Sequence, residues 1–286
     1  MPTVIDVIIP AWNRAHIIGA AIESVLTQRL PAATKLNLAV VDDGSTDDLE
    51  GALREFGGQV TCIRHPLNQG AAAARNAGIA AARGEYVAFL DSDDAWLPDK
   101  LIRQTDFMRI HGYAATCTSF RLLRPDRTEI IAPGYQTGDL GLADLAWGCF
   151  VSPGSTLICR RDVYGTIGTY DVSLRRLEDW DWLLRFSGKH QLGFLSEPLA
   201  RIDASPSPNP GEVLAALEQM ELKHLSSLPA KERRHFRSAV ELVRAAARRR
   251  QGRLIAAAIA MAKSFCIAPA SNVALTTVMH NRFVRH

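Results

Sequence analysis

Between Val4 and Leu90, short β-branched runs alternate with segments whose apolar residues recur at helical spacing, and each run ends in a polar loop. Val4 to Ile9 reads as a buried strand stopped by Pro10. Ile17, Ile18, Ala21, Ile22, Val25 and Leu26 then mark a helix. Leu36 to Val41, Val60 to Arg64 and Tyr86 to Leu90 repeat the strand pattern. Between them come a helix marked by Leu49, Leu53 and Phe56 and an alanine-rich helix from Ala71 to Arg83, stopped by Gly57-Gly58 and Gly84. Such alternation predicts an α/β fold, with a mostly parallel sheet covered by helices on both faces and ligands at the carboxyl ends of its strands. The clusters Pro10 to Arg14, Asp42 to Asp47 and Asp91 to Asp94 each follow a strand, so they are expected on one edge of the sheet. Pro98 to His111 continues as a helix, Ala114 to Leu123 and Ser155 to Cys159 as strands, and Glu178 to Ser187 as an amphipathic helix.

A second part is expected after the Ser205-Pro-Ser-Pro-Asn-Pro-Gly211 stretch, whose composition reads as a linker. The expected organisation is a body over residues 1–204, a linker at 205–211 and a basic helical tail at 212–286, with helices over Val213–Leu225, Lys231–Arg250 and Leu254–Ile267. Residues 229–286 carry twelve Lys and Arg against Glu232 and Glu241, a net of +10, so a whole-chain charge of +3 leaves −7 for the rest. The total is too small for a nucleic-acid binder, whereas the tail suits the surface of an anionic membrane or a solvated hairpin. No apolar stretch is long enough to span a bilayer. Five widely spaced cysteines without a Cys-x-x-Cys pair fit free thiols in a reducing compartment. A cytoplasmic protein, peripheral at the inner face of the membrane, is the expectation.

Asp91-Ser92-Asp93 carries the clearest chemistry. Two carboxylates on alternate residues, released from an apolar strand, can face one hard divalent cation and leave positions open for diphosphate oxygens; capping of the next helix is the plainer use of Asp94 or Asp99. In Asp42-Asp43-Gly44-Ser45-Thr46-Asp47, capping accounts for the last three residues, while the two acids could accept hydrogen bonds from a ligand. Trp12 in Pro10-Ala11-Trp12-Asn13-Arg14 could stack on a nucleobase or simply pack. Glu178-Asp179-Trp180 opens a helix, where acids complement the dipole and where a carboxylate can also serve as general base.

Together, Pro10-x-x-Asn13, Asp42-Asp43-Gly44-Ser45, Asn68-x-Gly70, Ala74-Arg75-Asn76-x-Gly78, Gly84-Glu-Tyr-x-x-Phe-Leu-Asp-Ser-Asp-Asp94 and Glu178-Asp179-Trp180 resemble family 2 glycosyltransferases of the GT-A fold, over about Val4 to Arg201. The resemblance implies a Rossmann-like GT-A domain with a C-terminal helical appendage. It implies transfer of a sugar from a nucleotide diphosphate donor, UDP by expectation, to a hydroxyl with inversion, in lipopolysaccharide, capsule or exopolysaccharide synthesis on a lipid-linked glycan. By position it places Pro10, Ala11, Trp12 and Asn13 at the donor nucleotide, Ala11 and Trp12 as the nucleobase wall, and Asp43 at the base edge. Asp91 and Ser92 fall beside the ribose and metal, and Asp93, with Asp91, on a Mg2+ or Mn2+ ion. Asp179 matches the catalytic base, and Glu178 and Trp180 lie at the acceptor. Arg75 could touch phosphate or pair with a nearby acid.

One departure stands out: relatives carry an Arg-x-His arrangement after the last core strand, and this chain has Arg201-Ile202-Asp203, leaving Asp203 as a substitute oxygen ligand or the position unused. The glycine-rich loops of dinucleotide oxidoreductases and phosphate-loop NTPases are absent. A non-catalytic nucleotide-sugar-binding scaffold on the same frame is the alternative, against which the intact Asp91, Asp93 and Asp179 weigh.

Overall fold

The computed structural model describes residues 3–30, 33–124, 126–204 and 208–268. In chain order its elements are β1 (Thr3–Ala11), α1 (Ile18–Leu26), β2 (Thr34–Asp42), α2 (Leu49–Arg54), β3 (Val60–Arg64), α3 (Ala71–Ala81) and β4 (Tyr86–Phe89). There follow β5 (Ala95–Trp96), α4 (Lys100–His111), β6 (Ala115–Leu123), β7 (Glu129–Ala132), β8 (Gly138–Leu140), α5 (Leu142–Leu145), α6 (Pro153–Thr156), β9 (Ile158–Arg160) and α7 (Val163–Ile167). The chain continues through α8 (Glu178–Ser187), β10 (Leu192–Asp203), α9 (Pro210–His224), α10 (Ala230–Arg250) and α11 (Leu254–Ile267). Contacts divide these into two units. The first holds the residues up to Asp139 with Val151–Val172 and His190–Ala204; the second holds Leu140–Phe150, Ser173–Lys189 and the described residues after Ala204. Residues 140–150 and 173–189, read from sequence as part of the body, group with the helices after Ala204. The helix of the expected linker starts at Pro210, and the last 18 residues of the tail, 269–286, lie outside the described residues.

In the first unit the sheet order is β3-β2-β1-β4-β9-β6-β10-β5. The first four strands are parallel, as the alternation requires; β9 then enters antiparallel to both β4 and β6, and β10 returns parallel to β6. Strand β1 is buried on both faces. Ile5, Val7 and Ile9 join the α1 side chains Ile18, Ala21, Ile22 and Val25 in one core, while Ile8 meets α3 on the other side. There a Cβ on Gly78 would lie 2.5 Å from Ile8 Cγ2, so the glycine sets how closely helix and strand approach. Register places the site: Ala11 pairs with Asp42 and Asp42 with Arg64, so β1, β2 and β3 end flush and their loops leave from one edge.

The expected strand at Ser155 begins only at Ile158, because Pro153–Thr156 form one helical turn. Sequence reading did not delimit β10. Pro198 within it argues against a strand, and the structure accommodates the proline between two register shifts, at Leu195/Pro198 and Pro198/Ala200. Below the site, Lys100 is fully buried. Its Nζ donates to Gln104 Oε1 at 2.6 Å and lies 4.2 Å from the Trp96 ring centroid. Burial pulls its pKa down to about 7.

The second unit is helical. Trp180 and Leu184 of α8, Leu217 and Met220 of α9 and Phe236, Val240 and Val243 of α10 share its core. The three tail helices expected from periodicity all form, with the first turn of α9 added at Pro210.

Candidate functional site

The loops after β1 and β2 are stitched together. Asn13, held at φ +53°, donates its N–H to Ser45 Oγ at 2.9 Å and accepts from the Thr46 N–H at 2.8 Å through Oδ1, and Ala15 N–H donates to Asp47 Oδ2 at 2.8 Å. Asn13 is therefore a brace between loops. Beside it Trp12 is 50% exposed and Ala11 is buried.

Asp42 and Asp43 are both buried, and each is used by the chain itself. Asp42 Oδ1 accepts from the Ser45 N–H at 2.8 Å. Asp43 meets His65 Nδ1 at 2.8 Å and accepts from the Gln69 and Gly70 N–H groups at 3.0 and 2.7 Å. A buried carboxylate must collect donors, and those of Asp43 come from the loop entering α3. Asp43, placed at the base edge by the resemblance, thereby fixes the Asn68-x-Gly70 loop. Gly44 permits this packing, with φ +73° and a hypothetical Cβ 2.6 Å from the Leu67 carbonyl carbon.

Beyond β4 the structure gathers Arg75, Asp91, Ser92, Asp93 and Asp94. Arg75, nearly buried on α3, donates from Nη2 to Asp91 Oδ1 at 2.8 Å and lies over the Tyr170 ring at 5.7 Å. Of the two uses expected for it, the ion pair is present. Asn76 beside it clamps the Tyr170 backbone, donating to its carbonyl at 2.8 Å and accepting from its N–H at 2.9 Å. Ser155, which sequence reading gave no role, accepts from the Asp91 N–H at 3.1 Å and donates to Asp94, and Gly154 abuts the Asp91 carboxylate. Burial, with the Asp91 and Asp93 carboxylates nearby, pushes the Asp94 carboxyl well above the usual range. Asp94 Oδ1 accepts from the Asp203 N–H at 3.0 Å, so the residue that replaces the expected histidine is tied to this cluster through its backbone. Ser92 is buried; Asp93 is half-buried and, with Asp203, Arg201 and His16, lines a cavity of about 610 Å3.

Among the described residues no three His, Cys, Asp or Glu side chains form a ready-made metal cage. Asp91 and Asp93 supply hard oxygen donors on alternate residues, with Asp91 partly exposed at 35%. That donor set fits a Mg2+ or Mn2+ held by one or two carboxylates and completed by phosphate oxygens.

The remaining expected residues belong to the second unit. Leu177, at φ +65°, turns the chain into α8. Asp179 Oδ1 accepts from the Trp180 N–H at 2.8 Å, and Glu178 and Asp179 are both half-buried. Trp180 departs from expectation: it is 1% exposed, its Nε1 donates to the Leu145 carbonyl at 2.8 Å, and its ring packs against Phe236 at 5.2 Å. An indole so enclosed is core, and it presents nothing to an acceptor. Next to it Asp181, fully buried, meets Lys223 Nζ and His224 Nε2 at 2.8 Å each and Arg185 Nη2 at 2.8 Å. These partners outweigh burial and hold its pKa at about 2. Sequence reading missed this group because Lys223 and His224 lie more than forty residues from Asp181 in the chain; only Arg185 is local.

The model of glycosyl transferase family 2 matches residues 6–168. TuaG of Bacillus subtilis, a glycosyltransferase named for teichuronic acid biosynthesis, is 34% identical over 189 residues, 63% of this chain and 72% of its own. The Escherichia coli WfgD, named as a UDP-Glc:α-D-GlcNAc-diphosphoundecaprenol β-1,3-glucosyltransferase, is 30% identical over 148 residues, 51% of this chain and 57% of its own. The chain spans only 34% of the length of an uncharacterized Rickettsia felis glycosyltransferase that it also matches. In fold it is similar to S. aureus TarS residues 1–349 solved with UDP-GlcNAc, with a TM-score of 0.63 at 16% identity, covering 92% of this chain and 91% of that one. The flush strand ends, the Asp91-Ser92-Asp93 loop and a family match over more than half its length place this chain among the family 2 glycosyltransferases, on the GT-A fold.

Proposed function

We propose that this chain transfers a sugar from a UDP-sugar donor, releasing UDP, to a hydroxyl of a lipid-linked glycan, with inversion, in the assembly of a cell-surface polysaccharide. The observation that carries the reading is the Arg75, Asp91, Ser155 and Asp94 cluster at the carboxyl end of β4, with Asp93 half-buried beside it. TarS was solved with UDP-GlcNAc, and WfgD is named for a UDP-sugar donor and an undecaprenol-linked acceptor; both support the reading by likeness.

Trp12 offers its exposed face to the nucleobase, and the Asp43-braced loop fixes the wall beside it. Asp93 and Asp91 would hold a Mg2+ or Mn2+ ion, which when bound supplies positive charge against the diphosphate leaving group. Arg75 orients Asp91 for that task through its hydrogen bond to Oδ1. On α8, Asp179 takes the acceptor proton at Oδ2, its Oδ1 being fixed by the Trp180 N–H. Attack from the opposite face in one displacement needs no covalent glycosyl-enzyme. Glu178 hydrogen-bonds the acceptor. A lipid-linked acceptor lies at a bilayer, and among the described residues no helix is long and apolar enough to cross one.

Calorimetric titration with UDP, GDP, dTDP and CDP, each with Mn2+ and with a chelator, tests the proposal. Metal-dependent binding of UDP alone is expected. A folded protein that binds none of the four would overturn it.

A further inference from the structure

Helix α11 is built inside out. It packs on α10 through small side chains, with Ala257, Ala260 and Ser264 buried and Ser264 hydrogen-bonded to Ser238 at 2.8 Å. Its large apolar residues point the other way: Leu254 is 66% exposed, Ile255 81%, Ile259 50%, Met261 46% and Phe265 43%. Ile255, Ile259, Ala262 and Cys266 recur at i, i+4, i+7 and i+11 and so share the face opposite the buried stripe. A helix ending its packing at water does the reverse, turning polar residues outward.

The charge around this face has one sign. No acidic residue occurs in the sequence after Glu241, whereas Arg248, Arg249, Arg250, Arg253 and Lys263 fall between there and the end of α11; Arg244 is taken up by Glu221 and Glu241. Two of the flanking arginines are fixed against the helix itself: Arg248 Nη1 donates to the Ala256 carbonyl at 3.4 Å and Arg234 Nε to the Ile267 carbonyl at 2.7 Å. Arg253, at the residue preceding the helix, and Lys263 on its flank are both exposed.

We infer that α11 is an interfacial anchor, lying in the plane of an anionic bilayer with Ile255, Ile259, Met261 and Phe265 among the acyl chains and the surrounding cations on lipid phosphates. At about 21 Å the helix is too short to cross a hydrocarbon core of about 30 Å, but it has the composition of a helix lying in the interface. A second copy meeting this face with its own α11 would set cations against cations, with no acid after Glu241 to offset them. The inference deepens the proposed reaction at a lipid-linked acceptor and rests on it for its purpose, though not for its physics.

The test uses the full chain and vesicles of phosphatidylcholine with and without about 30% phosphatidylglycerol. Co-sedimentation with the anionic vesicles is expected, weakened by high salt, and the double variant Ile255→Glu/Ile259→Glu should bind at least about tenfold less tightly. Leu222→Glu, on α9 at a site 85% exposed, is the control and should bind like the parent. UDP titration of the same proteins keeps the two readings apart, since both variants should hold UDP like the parent. Equal vesicle binding by parent and double variant, or none by the parent, overturns the anchor. So does sedimentation velocity showing a parent dimer that the double variant dissolves, because the face would then belong to self-association.

Discussion

Arg75, nearly buried, and Asp91, partly exposed, form an ion pair, 2.8 Å from Nη2 to Oδ1, that joins α3 to the loop after β4. It links the Ala74-Arg75-Asn76-x-Gly78 segment, whose residues also hold Tyr170 and meet Ile8, to the carboxylates at the strand end. Replacing Arg75 by Ala should lower stability by about 2 kcal/mol and weaken metal-dependent UDP binding by about tenfold or more. Arg75→Lys should recover the charge without the planar fork and restore only part of the affinity. Denaturant unfolding and nucleotide titration of both variants check this, and parent-like affinity in Arg75→Ala would refute it.

Asp179 separates chemistry from binding. Asp179→Asn keeps the acceptor of the Trp180 N–H and so should fold like the parent. UDP affinity should stay within about twofold while transfer falls by at least about a hundredfold, the range of general base catalysis. A transfer assay beside calorimetry decides it; transfer at the parent rate would remove Asp179 from the mechanism.

Asp181 is a stability residue. With its pKa near 2 in the folded chain and about 3.9 unfolded, its contribution is fully present above about pH 4 and is lost as the pH falls toward 2. Asp181→Asn should cost about 3 to 5 kcal/mol, because it leaves Lys223 and His224 facing a neutral amide in a buried place. Thermal unfolding at neutral pH measures this, and a Tm within a degree or so of the parent would contradict it.

Lys100 works in the opposite direction. Its folded pKa of about 7 lies below an unfolded value of about 10.4, so between these values the unfolded chain binds more protons and stability rises with pH. The gain expected from pH 7 to pH 9 is about 2 kcal/mol. Lys100→Met should remove it. Urea midpoints of parent and variant across this range give the answer; equal slopes would show that Lys100 stays charged beside Trp96 and Gln104.

The extent to which this protein is legible in its sequence differs residue by residue. The strand, helix and loop order up to Leu90 follows from local periodicity, since a parallel strand must be apolar on both faces and a covering helix on one. Pro198 hid β10, because a register shift that tolerates proline is a property of the pairing with β6. Trp180 looked like an acceptor contact by its place in Glu178-Asp179-Trp180, but a large aromatic opening a helix has the same spelling whether it faces a ligand or a core.

Sequence by itself determined which side chains leave the strand ends: Trp12, the Asp42-Asp43 pair and Asp91-Ser92-Asp93 all follow apolar runs whose direction is set by the alternating pattern. It also fixed the sign of the tail and the absence of acids after Glu241. Tertiary structure decided what each group is for. Asp43 turns to the His65–Gly70 loop, Asp91 to Arg75 and Ser155, Asp181 to Lys223 and His224, and α11 sets its small residues inward and its large ones outward. A buried charge settles by finding donors within about 3 Å, and those donors come from wherever the chain folds back.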